Sequence, residues 1–289
     1  MPEIVIEGRE ADLGHGLKVR RVLPFAKRRM VGPFVFFDHA GPVTMSGEAA
    51  RKADVRPHPH IGLSTLSYLL GGAVTHRDSL GVRHVIRPGE VNWMTAGRGI
   101  VHSERFDAPD AFAGGGLELL QSWIALPEAE EECEPAFENR SAGELPEARE
   151  GGLRMRLIAG EAFGMRSPVG VRSPVFYLHL EVDAGARIPL PDGHAERAAY
   201  VAKGELELDG HRHGTGRMLV FGATEAPSPV AREPSTVMLL GGEPLGERHI
   251  WWNFVSSRRE RIEQAKADWL AGRFAMPPDD RDEFIPLPG

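Results

Sequence analysis

The sequence predicts an all-β protein: two tandem halves that repeat one antiparallel plan of short strands, and a short C-terminal helix. Three observations predict it. Glycine and proline are abundant, 34 and 23 residues, and spread along the chain, which favours many turns over long helices. Short β-branched and aromatic runs sit between those turn residues. The second half also echoes the first. Aligning Tyr68-Leu69-Leu70-Gly71-Gly72 on Tyr200-Val201-Ala202-Lys203-Gly204 superposes strand on strand and turn on turn.

The elements follow in order. Residues 1–18 read as an edge strand and a loop. Val19 to Leu23 is a strand ended by Pro24, and Pro33 to Pro42 is an aromatic strand with a turn. His39 reads as a locally hydrogen-bonded loop histidine. Residues 43–56 form a polar connector. Leu63–Leu70, Ala73–Asp78, Val82–Arg87 and Val91–Thr95 are strands joined at Gly71-Gly72, Ser79-Leu80-Gly81 and Pro88-Gly89. This meander suits a sandwich or small barrel. Leu117–Leu126 closes the first half. The acidic run Glu128–Glu134 reads as solvated linker, and residues 127–152 as the crossing between domains 1–135 and 145–289.

In the second half, Leu153–Ala159, Val175–Val182, Ala198–Ala202, Glu205–Leu208, Arg217–Phe221 and Ser235–Gly241 are strands. His211-Arg212-His213 reads as a solvated hairpin. Trp251, Trp252 and Phe254 read as packing residues. Ser257-Arg258-Arg259-Glu260 has a capping-box pattern, an apolar stripe of Ile262, Ala265, Ala267 and Trp269 follows, and Gly272 ends the helix. The tail after Pro277 is acidic, Pro-rich and expected on the surface.

Composition bounds the function. The chain has 289 residues, 42% hydrophobic and 26% charged, as soluble globular proteins do. A net charge of -7, with no basic block beyond Lys27-Arg28-Arg29, argues against direct nucleic-acid binding. The single cysteine, Cys133, excludes an intramolecular disulfide and a Cys-based zinc site, and it reads as inert. No apolar stretch spans a bilayer and no signal pattern opens the chain, so a cytoplasmic protein is expected. A monomer is expected.

The chemistry concentrates between Arg56 and Glu104. Pro57-His58-Pro59-His60 opens this stretch and His102-Ser103-Glu104 closes it. Residues i and i+2 of a strand share a face, so each end aims two ligand-type side chains the same way. Antiparallel pairing would converge His58, His60, His102 and Glu104 on one ion. Three imidazoles and a carboxylate suit a divalent transition metal better than Mg²⁺ or Ca²⁺. A lone His-x-His also occurs on solvated strands; two such pairs bracketing hairpins favour the metal.

These residues resemble the pirin family of the cupin superfamily. The resemblance is carried by Arg56-Pro57-His58-Pro59-His60-Ile61-Gly62, by Thr65 to Tyr68, by Asp78-Ser79-Leu80-Gly81, by Gly89 through Glu104, and by Gln121 through Pro127. It implies a bicupin: two tandem cupin (double-stranded β-helix) barrels, with the metal only in the first. General cupins place a Glu shortly after His-x-His; here Ser64 and Thr65 occupy that region and Glu104 supplies the carboxylate. The aligned second half carries Leu190 and Asp192 where the first has His58 and His60. The resemblance implies His58, His60, His102 and Glu104 as ligands to one divalent metal, Fe²⁺ first, with Ni, Cu, Co, Mn or Zn as alternatives. It implies one of two roles. One is quercetin 2,3-dioxygenase activity, with a flavonol and O₂ as substrates and Glu104 as the base. The other is an iron-dependent, redox-responsive regulator that acts through a protein partner.

Overall fold

The alternating and β-branched runs form strands over about half of the chain in the computed structural model, which describes residues 1–14, 16–224 and 227–289. They assemble into two compact units that interleave along the sequence. The histidine unit comprises Ala11–Val19, His39–Asn139 and Leu245–Gly289. The apolar unit comprises Met1–Glu10, Arg20–Asp38 and Arg140–Pro244. Against the expected sequential segments 1–135 and 145–289, two pairings contribute to this interleaving. The Ile4–Glu7 strand joins the apolar unit, in register with Arg217–Gly222 from Ile4↔Val220 to Glu7↔Arg217. The C-terminal helix Arg259–Leu270 joins the histidine unit, burying Ile262, Ala265 and Trp269 against Ile61, Val101 and Phe254.

In the apolar unit one sheet runs in the order Ile4–Glu7, Arg217–Gly222, Glu196–Lys203, Ser235–Gly242, Val175–Val182, Leu153–Ala162, Glu147–Glu150. Its core includes Leu157, Phe176, Leu178, Val201, Leu219, Phe221 and Leu239. Leu190, the counterpart of His58, is in that core, and Asp192, the counterpart of His60, is exposed. A hairpin joins Glu205–Leu208 to His211–Gly214 through Asp209 and Gly210, both at positive φ (52° and 78°), as a primed turn requires. His211 and Arg212 on it are exposed, but His213 is buried, so this hairpin is only partly solvated.

Two strand groups of the histidine unit position the site. Val55–His60, Ile100–Arg105, Val74–Asp78 and Arg83–Ile86 form one sheet in that order. In the other, Val91–Thr95, Leu63–Gly71 and Leu117–Ala125 are neighbours. The edge position of Val55–His60 tolerates Pro57 and Pro59, which have no N–H to give a central ladder. Gly62 follows at φ 66°, and a Cβ there would lie 2.0 Å from the Val255 carbonyl oxygen, so only glycine fits the turn.

Four local readings differ from the expectation. A six-residue helix, Gly47–Lys52, lies within the polar connector and buries Ala50 on Leu17 and Leu69. The C-terminal helix starts as its apolar stripe requires, but Ser257 does not cap it. Arg258 is the N-cap, and the Ser257 hydroxyl donates to Glu131 at 3.1 Å instead. Glu131 is therefore not solvated linker: it is 3% exposed and pairs with Arg248 at 3.1 Å. His39 lies in the Phe34–Val43 strand, buried, with Nε2 3.0 Å from Glu118 Oε1. No helix among the described residues is long and apolar enough to cross a membrane.

The tail does more than wrap. Arg105 donates to Asp280 at 2.8 Å and 2.6 Å, and Ser103 Oγ donates to it at 2.6 Å. Ile285 N–H donates to the Pro57 carbonyl at 2.9 Å. The tail thus grips residues adjacent to His58 and His102. Burial pushes the Asp280 pKa up, but the Arg105 and Ser103 donors outweigh it and hold it below its ordinary 3.8. A carboxylate depressed by folding contributes stability that is present above its unfolded pKa and is lost as pH falls through its folded value. Asp280→Asn is therefore expected to cost about 2 kcal/mol near neutral pH. The gap from the parent protein should begin to close as pH falls to the ordinary carboxylate value of 3.8 and go on closing below it, as read by melting curves taken down through that value.

Candidate metal centre

Two strands build the site. Val55–His60 and Ile100–Arg105 pair antiparallel with His102 opposite His58 and Ile100 opposite His60. His58 and His60 share a face by strand alternation, and His102 comes from the neighbouring strand onto that face. The ring centroids are 5.0 Å apart for His58–His60, 4.4 Å for His58–His102 and 5.0 Å for His60–His102. One ligand nitrogen from each ring lies within 4.8 Å of the others. The rings are 6%, 1% and 2% exposed, and Trp123 packs edge-on against His60 at 5.0 Å.

Electrostatics favours lone pairs here. Burial lowers the pKa of His58 to about 4. His60 and His102 are also lowered, by burial first and then by neighbouring imidazoles. The rings are therefore neutral at physiological pH, as metal ligation requires. Hydrogen bonds select the tautomer. His58 Nδ1 meets the Arg56 carbonyl at 2.9 Å, and His60 Nδ1 meets the Asn253 carbonyl at 3.1 Å. A carbonyl only accepts, so each Nδ1 carries the proton and each Nε2 keeps its lone pair. His102 Nε2 is buried with no hydrogen-bond partner. An unsatisfied buried nitrogen costs about 1–3 kcal/mol, and a metal ion would satisfy it. The donor set fits a divalent transition ion.

Glu104 is placed differently from the three histidines. It is not in the group whose ligand atoms lie within 4.8 Å of one another. The pairing register slips beyond His102, so that Glu104 faces Val55. Burial pushes its carboxyl pKa up to about 7. Two contacts of the site were not readable from the ligand motif. Asn253, some 190 positions away from His60, supplies the carbonyl that orients it. His76, on the strand Val74–Asp78 beside His102, puts its Nδ1 3.4 Å from His102 Nδ1. Its one available signal was the alternation His76-Arg77-Asp78, which sets an imidazole and a carboxylate on one strand face.

Known proteins are similar to this chain in sequence and fold. The model described as "Pirin" matches residues 16–124, and that described as "Pirin C-terminal cupin domain" matches residues 177–275. A pirin-like protein of Caulobacter vibrioides is 54% identical over 289 residues, 100% of both chains. A Pseudomonas aeruginosa relative, provisionally named a quercetin 2,3-dioxygenase, is 37% identical over 270 residues, 92% of this chain and 83% of that one. The crystal structure of quercetin 2,3-dioxygenase from Acinetobacter baumannii has 33% sequence identity and a TM-score of 0.89, over 99% of this chain and 95% of that one. Two cupin domains, one carrying a buried histidine triad, define a bicupin. The chain belongs to the pirin family.

Proposed function

We propose that the protein is a metal-dependent dioxygenase of the quercetin 2,3-dioxygenase type, with Fe²⁺ as the metal and a flavonol and O₂ as substrates. The observation that carries this reading is the convergence of three neutral, buried imidazoles, one with an unpartnered Nε2. The likeness to the Acinetobacter baumannii enzyme supports the substrate class. His58, His60 and His102 hold the ion through Nε2. The ion supplies Lewis acidity and redox contact for oxygen chemistry at an electron-rich ring. Glu104 acts as the fourth ligand and as the base that takes the proton of the flavonol ring hydroxyl. Without an ion, burial raises its carboxyl pKa to about 7, so the site favours a proton on Glu104 more than water does.

The test is bleaching of quercetin by natively purified, iron-loaded protein under air, with carbon monoxide measured as co-product. Bleaching with stoichiometric carbon monoxide supports the reading. Its absence across Fe, Ni, Cu, Co and Mn loadings rejects it. Glu104→Gln keeps the side-chain shape and removes the base. It is expected to lower turnover by about 10²–10⁴-fold, since general-base catalysis contributes that much, while three imidazoles retain metal. Turnover and metal content measured on the same sample check it.

A further inference from the structure

We infer that His76 and Asp78 are positioning residues of this centre: together they set the tautomer of His102 and aim its Nε2 lone pair into the triad. The inference rests on the metal-binding reading above and concerns how the third ligand is prepared. His58 and His60 each have a backbone carbonyl at Nδ1, which leaves no choice of tautomer. His102 is opposed at Nδ1 by another imidazole nitrogen, His76 Nδ1 at 3.4 Å. Two facing nitrogens share one proton, so one ring must donate and the other accept.

The far end of His76 decides which. His76 Nε2 is 2.9 Å from Asp78 Oδ2. Asp78 is fully buried, and its Oδ1 accepts the backbone N–H groups of Leu80 and Val82 at 2.9 and 3.1 Å. The turn thus holds the carboxylate as an acceptor, and His76 Nε2–H donates to it. His76 Nδ1 then offers a lone pair, His102 Nδ1–H donates to it, and His102 Nε2 is bare. That is the nitrogen with no partner in the structure. Phe137 stacks on His76 at 4.5 Å with planes 19° apart, which fixes the ring plane. Sheet register makes the arrangement: His102 pairs with Asp78, and Glu104 with His76. The opposite tautomer would turn an N–H of His102 toward the ion. Carboxylate–histidine pairs behind a ligand are a known means of orienting it.

The experiment reads the tautomer directly and without metal. Imidazole ¹⁵N shifts of the metal-free protein, taken well above the ordinary histidine pKa of about 6.5, are expected to show His102 protonated at Nδ1 and bare at Nε2. His76→Phe keeps the stack on Phe137 and deletes the acceptor. It should shift His102 toward the Nε2–H form and weaken Zn²⁺ binding about 10–100-fold in chelator competition. His76→Gln restores an acceptor for His102 and a donor for Asp78, and should recover Zn²⁺ affinity to within about threefold of the parent protein. An Nε2–H His102 in the parent protein overturns the inference, even if His76→Phe fails to fold. So does unchanged Zn²⁺ affinity in a folded His76→Phe, or a Gln variant no better than Phe. A parent protein that binds no Zn²⁺, Ni²⁺ or Fe²⁺ while showing the Nδ1–H form refutes the metal reading instead.

Discussion

Replacing His102 with leucine is expected to abolish metal binding and quercetin turnover while leaving the metal-free fold intact. The residue is 2% exposed, and its Nε2 is buried without a partner, so the imidazole is held at a local cost when no ion is present. Leucine fills much of the volume and removes that orphan nitrogen. It also leaves His76 Nδ1 without its donor, which offsets part of the gain. The melting temperature of metal-free His102→Leu should therefore stay close to that of the metal-free parent. Metal separates the two. An ion at 100 times its Kd stabilises the parent by about 2.7 kcal/mol. That is a shift of roughly 5–10 °C for a unit of this size. The variant should show no shift, less than about a tenth of the parent's bound metal, and a loss of turnover of at least about 10³-fold, because a two-imidazole remnant cannot fix the coordination geometry. Paired melts with and without added ion check the first point, and elemental analysis with the bleaching assay checks the rest. A variant that still bleached quercetin would place the chemistry elsewhere.

The convergence of His58, His60 and His102 could be read from the chain because strand alternation is a short-range rule. Once Pro57–His60 was extended, His58 and His60 had to share a face, and hairpins were the only connection needed to bring His102 beside them; the register slip after His102, which alternation does not foresee, sets Glu104 apart. The turns were legible for the same reason: Asp209-Gly210 and Gly71-Gly72 act through their own backbone angles. What escaped was set by long-range partners. Nothing in Ile4–Glu7 says that its neighbour is Arg217–Gly222. Nothing in Asn253 says that its carbonyl orients His60. His76 escaped because its alternation with Asp78 gives a shared strand face but not the neighbouring strand that sets His102 beside it. The acidic run misled because composition averages over residues. Five carboxylates in Glu128–Glu134 read as solvated, yet one of them, Glu131, is interior while Glu132 meets Arg261 at 2.8 Å. Ser257 misled in turn, since the partner it found was that same buried Glu131 and not the helix it precedes.

Glu131→Ala should be the most destabilising single change on the surface-like acidic run, by about 3–5 kcal/mol, because it strands a buried cation. Glu131 and Arg248 are 3% and 4% exposed and 3.1 Å apart. Arg248 also donates to the Leu126 and Leu245 carbonyls at 3.0 and 2.8 Å, so it cannot swing out to water without breaking those bonds. Glu131 in turn accepts from Ser256 Oγ, Ser257 N–H and Ser257 Oγ at 2.8, 2.8 and 3.1 Å. Removing it leaves a charge and several donors uncompensated at once. Glu131→Gln should cost less than Glu131→Ala, since an amide oxygen still accepts from the serines. Glu131→Ala with Arg248→Met should recover part of the loss, as removal of both charges ends the desolvation penalty, and the cycle of single and double variants measures the coupling. The chain between these anchors links stability to the site. Residues 248–257 carry Asn253, whose carbonyl orients His60, and Val255, whose N–H donates to the Ile61 carbonyl at 3.2 Å. Loosening Glu131 should therefore weaken Zn²⁺ binding as well as lower the melting temperature, although no ligand is touched. Chelator competition on Glu131→Ala, run well below its melting temperature, checks this. Parent-like affinity there would mean that the backbone near His60 is held by the Ile61–Val255 contact alone.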